Sequence, residues 1–268
     1  MMFFHLYGFF IGLGIIAGIL VVEKIGKKLP AARFQVPVDY LLFWVVVPGL
    51  IGARLYHVID YWQYYLENPI KILYLWQGGL AIFGAILGGV VGLWIFFKLK
   101  IKNRSQNVKL FLSILDLAAF GLPVGQAIGR LGNYFNQELY GLPTNLPWGI
   151  YIKPENRIER LAGYEYFHPL FFYEAVWDII IFIILVIIIN IIRKPKPGLF
   201  FFTYLGLYGF GRFWLEFLRI NPWKVGGIDI AQGISLGLVV ISGIFLVQKT
   251  QITQKVREAR KSENQTVR

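Results

Sequence analysis

The stretch PLFFYEAVWDIIIFIILVIIINII, residues 169–192, decides the fold class. It is apolar over roughly the 20 residues that a helix needs to cross a bilayer. Six other segments read the same way: Phe3–Val22, Val36–Ile59, Gly78–Phe97, Leu110–Ile128, Leu199–Leu218 and Ile228–Val247. Pro48 and Pro123 interrupt two of them. Such breaks are tolerated where protein or water lines the helix. Hydrophobic residues make up 56% of the chain and charged residues 16%, against about 25% charged in soluble domains. The mean hydropathy is +0.57. These values predict an all-α polytopic membrane protein with seven transmembrane helices. The N-terminus lacks a charged leader and cleavage site, so it is read as a mature helix.

The net charge of +12 does not point to nucleic acid, because the positives sit between apolar runs rather than along one face. One set of loops holds Lys24, Lys27, Lys28 and Arg33, then Lys98, Lys100, Lys102, Arg104 and Lys109, then Arg193, Lys194 and Lys196. The tail adds Lys249, Lys255, Arg257, Arg260, Lys261 and Arg268. The positive-inside rule predicts a cytoplasmic C-terminus and an outside N-terminus. On this reading residues 1–247 form the transmembrane catalytic domain, with a small extracytoplasmic head at about 131–168. Residues 248–268 form a basic cytoplasmic tail, flexible or lying on the membrane surface. Within the head, Trp148–Ile152 reads as a short strand. Glycines four apart, at Gly84, Gly88 and Gly92, at Gly8 and Gly12, and at Gly14 and Gly18, predict close helix packing.

Several patterns carry no chemistry. Cysteine is absent, which excludes disulfides and a cysteine nucleophile. Gly233-Ile-Ser-Leu-Gly237 lies inside an apolar helix, not at the strand–turn–helix elbow that a hydrolase needs. Three histidines without helical pair spacing give no metal site. His5 and His57 read as structural, and Asp39 and Asp116 are as readily structural as functional.

Charged residues at the outer ends of the spans are the informative ones: Arg54, Arg130, Arg212 and Arg219. Tyr208, Arg212 and Glu216 are spaced i, i+4, i+8, so they share a helix face. The bland alternative is an Arg212–Glu216 pair with Arg219 snorkelling. Arg130 ends the fourth span on the same side. Two arginines from different helices suit the oxygens of one lipid phosphate. Asn133, Asn136, Gln137 and Glu138 add donors and acceptors, although they read equally as a polar loop start with capping asparagines.

Gly129-Arg-Leu-Gly-Asn-Tyr-Phe-Asn-Gln-Glu-Leu-Tyr-Gly141 closely resembles the signature of prolipoprotein diacylglyceryl transferases. The resemblance runs through Tyr7-Gly8, Gly52-Ala-Arg54, Trp76-Gln-Gly-Gly79 with Gly84, His168-Pro-Leu-Phe-Phe-Tyr-Glu174, and Tyr208-Gly-Phe-Gly-Arg212 with Glu216 and Arg219. It implies transfer of the diacylglyceryl group of phosphatidylglycerol to the lipobox cysteine thiol of a prolipoprotein signal peptide. A thioether forms and glycerol phosphate leaves. The setting would be the bacterial cytoplasmic (inner) membrane, with no cofactor and no metal. The implied catalytic residues are Arg130, Arg212, Glu138 and Glu216. The implied substrate-binding residues are Tyr7, Arg130, Asn133, Asn136, Gly141, His168, Glu174, Tyr208 and Arg212. Many members carry histidine or tyrosine where this chain has Phe83, which cannot take a proton. Glu216, Glu138, Tyr7 or His168 then assists, or the arginines favour the thiolate. The alternative class is a lipid- or anion-binding transporter using the same arginines without chemistry, although the internal repeat common in transporters is missing.

Overall fold

A computed structural model describes residues 6–29, 38–75, 79–100, 104–192, 194–222 and 224–266. The chain divides into two compact units, Met1–Asn136 and Gln137–Arg268.

In the first unit, α1 (Leu6–Gly26) packs along α5 (Arg104–Asn136), and α2 (Val38–Asp60) packs along α4 (Ile82–Lys100). A short helix α3 (Trp62–Glu67) and a 3-10 turn (Pro69–Leu73) follow α2. Small residues bring the backbones together. A Cβ on Gly14 would stand 2.6 Å from the Gly125 carbonyl oxygen. A Cβ on Gly52 would stand 2.9 Å from the Gly88 Cα. Pro48 lies inside a continuous α2 and Pro123 inside a continuous α5. Proline cannot donate to the carbonyl four residues earlier, and Gly92 packs onto that carbonyl, at Trp44, where any Cβ would collide.

In the second unit, β1 (Ile150–Tyr151) pairs antiparallel with β2 (Tyr166–Phe167). The strand expected over Trp148–Ile152 is thus shorter. Tyr140, Ile152, Phe167 and Ile220 form a small buried core beside it. Helices α6 (Leu170–Ile191) and α7 (Leu199–Leu215) pack together, and α7 packs on α8 (Ile230–Thr266). Between α7 and α8, β3 (Lys224–Val225) and β4 (Ile228–Asp229) form a hairpin. Its loop, Gly226 and Gly227, has φ of 58° and 84°, the left-handed pair that a tight two-residue hairpin needs. Helix α8 continues through the basic segment as far as Thr266.

Among the described residues, five helical stretches are long and apolar enough to cross a membrane: Leu6–Gly26, Leu42–Asp60, Val108–Asn136, Leu170–Ile191 and Ile230–Gln248. Leu87–Leu99 of α4 is a shorter apolar helix. α7 has 17 residues and gives way to a 3-10 turn at Glu216. Large apolar side chains such as Leu20, Trp94, Leu99, Ile191 and Ile244 are more than half exposed. Water does not tolerate that much apolar surface on a folded chain, whereas lipid does. The architecture is that of a polytopic membrane protein.

Candidate functional site

The first unit contributes the end of α5. The helix was expected to stop near Ile128, with the polar run as a loop; instead it continues to Asn136. Nothing in Gly129-Arg-Leu-Gly-Asn-Tyr-Phe-Asn136 forbids helix, and the polar residues fit its period. Gln126, Arg130 and Asn133 recur at i, i+4 and i+7, which places them on one face. The asparagines therefore do not cap a helix start. Asn133 is buried, Arg130 half-buried and Asn136 exposed. Tyr7, in the first turn of α1, lies against Gly132, where a Cβ would come within 2.8 Å of its ring. Phe10 stacks on Phe135 at 5.3 Å and 11° between planes. These contacts hold the start of α1 beside the polar end of α5.

The second unit begins with a sharp redirection. Gln137 and Leu139 have φ of 51° and 54°, a left-handed backbone that costs an ordinary residue about 1–3 kcal/mol. Hydrogen bonds hold it there. The Gln137 side-chain oxygen accepts from the Lys153 backbone at 2.9 Å and from Asn156 Nδ2 at 3.0 Å. Its Nε2 donates to the Tyr151 carbonyl. The Leu139 carbonyl accepts from the Phe171 amide at 3.1 Å. Glu138, between them, is exposed.

Gly141 is a backbone junction. Its amide donates to the His168 carbonyl at 2.8 Å, and the next amide, Leu142, donates to the Leu218 carbonyl at 2.9 Å. A Cβ at Gly141 would stand 2.8 Å from the Leu218 oxygen. Three segments converge where only glycine fits. Beside this junction, Trp148 Nε1 donates to the Tyr173 hydroxyl at 2.8 Å. The hydroxyl's own proton is then available for His168 Nδ1, 3.2 Å away. Tyr173 and Trp148 were absent from the sequence-based site. The H-P-x-x-x-Y-E spacing contained Tyr173, while nothing local marks Trp148 as its partner.

The charged centre of this unit is an ion network. Arg212 binds the carboxylates of Glu174, from α6, and Glu216, the latter at 2.7 Å. Arg219 reaches the same Glu216 oxygen at 3.3 Å. Both acids are buried. The Arg212–Glu216 pair of the bland reading forms, but Arg219 turns back to the acid rather than outward, and Glu174 completes the bridge between helices. Gly211 makes this possible. The Trp177 ring occupies the place where a Cβ would be, and Trp177 Nε1 donates to the Leu207 carbonyl at 2.9 Å. Tyr208 stacks on Tyr204 at 5.8 Å.

Of the four arginines singled out in the sequence, Arg54 serves neither group. It is buried among backbone carbonyls of its own unit. His57 packs edge-on to Tyr61 at 4.6 Å. Asp116 is fully buried. His5, residues 76–78 and the side chains of Asp39 and Phe83 lie outside the described residues. Among the described residues no group of acids and histidines is arranged to hold a metal.

A family model described as prolipoprotein diacylglyceryl transferase matches residues 2–248. Curated relatives named phosphatidylglycerol–prolipoprotein diacylglyceryl transferase include one from Trichormus variabilis, 40% identical over 252 residues, covering 90% of this chain and 85% of the relative. Another, from Fervidobacterium nodosum, is 39% identical over 241 residues, covering 88% and 80%. A third, from Synechocystis, is 39% identical over 254 residues, covering 91% and 86%.

Proposed function

The chain belongs to the prolipoprotein diacylglyceryl transferase family, and from that membership we propose how its own residues carry out the transfer. The observation that carries the reading is the match across residues 2–248, which takes in both units and both groups of polar residues. The protein transfers the diacylglyceryl group of phosphatidylglycerol to a prolipoprotein, the acceptor being the lipobox cysteine thiol. Sulfur forms a bond to the lipid glycerol carbon while that carbon's bond to the phosphate oxygen breaks. The electron pair leaves with the phosphate, as glycerol phosphate, and the thiol proton is released to the leaving group or to water.

The largest demand is charge on the departing phosphate, which preorganised donors meet best in a dry site. Arg130 is assigned to that phosphate, flanked by Asn133 and Asn136. Its position on the polar face of α5, half-buried, supports this. Arg212 is also assigned a phosphate-binding role in the reaction. Glu174 and Glu216 hold its guanidinium in place, so we assign Glu216 to orient the arginine as well as to the catalytic group. Tyr7, Gly141, His168 and Tyr208 shape the binding site, and Glu138 completes the catalytic set. Phe83 stands in the first turn of α4 and offers no proton acceptor, so the thiolate depends on the arginines and on these carboxylates.

The same proposal includes seven spans, the N-terminus outside, the C-terminus inside and location in the bacterial inner membrane. α4 and α7 supply the third and sixth spans. Residues 1–247 are then the catalytic domain, with its head at about 131–168, and residues 248–268 the cytoplasmic tail. No nucleic acid takes part.

Purified protein given phosphatidylglycerol and a lipobox peptide should release glycerol phosphate and yield thioether-linked peptide. Folded protein that binds lipid without product would sink the proposal in favour of a transporter. Arg130→Ala should lower turnover about 10²–10³-fold while the protein still inserts. Wild-type turnover in that variant would remove Arg130 from the mechanism.

A further inference from the structure

We propose that Arg54 is a positioning residue for the transfer reaction, acting by pinning residues 71–74 and 79–81 to the C-terminal part of α2. The proposal rests on the transferase reading above. An arginine in an apolar helix invites a substrate role, because a charge in that setting needs a partner. Here backbone supplies partners. The guanidinium carries five N–H donors in a planar fork. Nε donates to the Ile72 carbonyl at 2.8 Å and Nη1 to the Gly79 carbonyl at 3.0 Å. Nη2 donates to the Lys71 carbonyl and, at 3.3 Å, to the Tyr74 carbonyl. The Tyr65 ring faces the group, 5.3 Å from Cζ. The side chain is only 6% exposed.

These carbonyls are not random targets. Lys71 and Ile72 lie in the last turn of the 3-10 segment Pro69–Leu73, where the Lys71 carbonyl also accepts from the Tyr74 amide at 3.1 Å and carbonyls have capacity for a further donor. A cation is well placed at such an end. Gly79 then turns the chain with φ of +74°, and a Cβ there would run into Arg54 and His57. Two residues later the Ala81 amide donates to the Ala53 carbonyl, beside Arg54, at 3.1 Å. Helix α4 starts at the next residue, Ile82. One side chain and its neighbour's carbonyl thus set where the connecting segment enters α4. Phe83 follows at once, in the first turn of α4. Lysine cannot reproduce the arrangement, because one ammonium does not span carbonyls from Ile72 to Gly79.

Misplacing a reacting group by about 1 Å costs on the order of 10²-fold in rate, so a loosened entry should appear in kcat rather than in lipid affinity. For Arg54→Ala, measured per folded molecule, kcat should fall about 10–100-fold, with KM for phosphatidylglycerol changed less than about threefold. Added guanidinium ion should restore part of the rate to Arg54→Ala and none to Phe83→Ala. Hydrogen exchange should speed up in residues 69–81 and stay unchanged in α1 and α5. Arg54→Lys should behave like the alanine variant, and it provides the test if alanine does not fold. Wild-type kcat in a folded variant, or unchanged exchange in residues 69–81, would overturn the proposal. The two readings fail separately: a wild-type enzyme without turnover sinks the transferase assignment, whereas retained turnover in Arg54→Ala sinks only this one.

Discussion

Arg212→Ala is expected to abolish measurable transfer and to destabilise the second unit at the same time. The guanidinium is the shared partner of Glu174 and Glu216, whose side chains are 5% and 2% exposed. Removing one partner of a buried pair leaves an uncompensated charge, at a cost of about 3–5 kcal/mol. Arg219 still reaches Glu216, so Glu174 suffers most. Loss of a phosphate ligand would separately lower turnover about 10²–10³-fold. A triple variant, Arg212→Met with Glu174→Gln and Glu216→Gln, separates the two effects. It removes the charges together and leaves amides that can hydrogen-bond, so the unit should regain thermal stability in detergent. Its turnover should remain absent. Recovery of turnover in the triple variant would mean that Arg212 serves only to neutralise the acids.

Gly84→Leu is expected to be the most damaging substitution in the first unit. A Cβ at Gly84 would already meet Tyr56 Cβ at 2.6 Å and the Gly52 carbonyl carbon at 2.8 Å. Backbone cannot rotate away as a side chain can, so α2 and α4 must separate. Overpacking of this kind costs about 3 kcal/mol or more. Gly12→Leu provides the comparison, since a Cβ there meets nothing within 4 Å among the described residues. Heating both variants in detergent and measuring the fraction still folded should show loss only for Gly84→Leu. Equal losses would mean that the glycine contact between α2 and α4 contributes little.

That pair of glycines shows where sequence reasoning stops. Gly8 and Gly12 repeat the same four-residue spacing as Gly14 and Gly18. Among the described residues, Gly14 and Gly18 meet a partner helix, at Gly125 and Gly121, whereas Gly8 and Gly12 do not. Spacing shows that a helix has a narrow face; it does not show what lies against that face. The arginines teach the same lesson. Arg54, Arg130 and Arg212 look alike as charges near the ends of apolar runs. Arg54 binds backbone carbonyls, Arg212 binds two acids, and Arg130 stands on a polar helical face. The partners of Arg54 come from 17 to 25 residues away and Glu174 lies 38 residues from Arg212, beyond the reach of any local pattern.

The sequence by itself determined the membrane character, the helical class and the family. Each of these depends on side-chain type summed over a window, or on ordered motifs, and neither needs a contact to be known. It also placed Arg212 and Glu216 together, because i, i+4 spacing is a property of one helix. Only the tertiary structure decided that α5 runs on through Arg130 to Asn136, that Glu174 joins Arg212 from another helix, that Gly141 is a crowded junction of three segments, and that Arg54 is occupied by the chain that follows it. Those outcomes turn on which surfaces meet. That depends on how well backbones can approach and how completely buried polar groups find partners, neither of which a single segment of sequence contains.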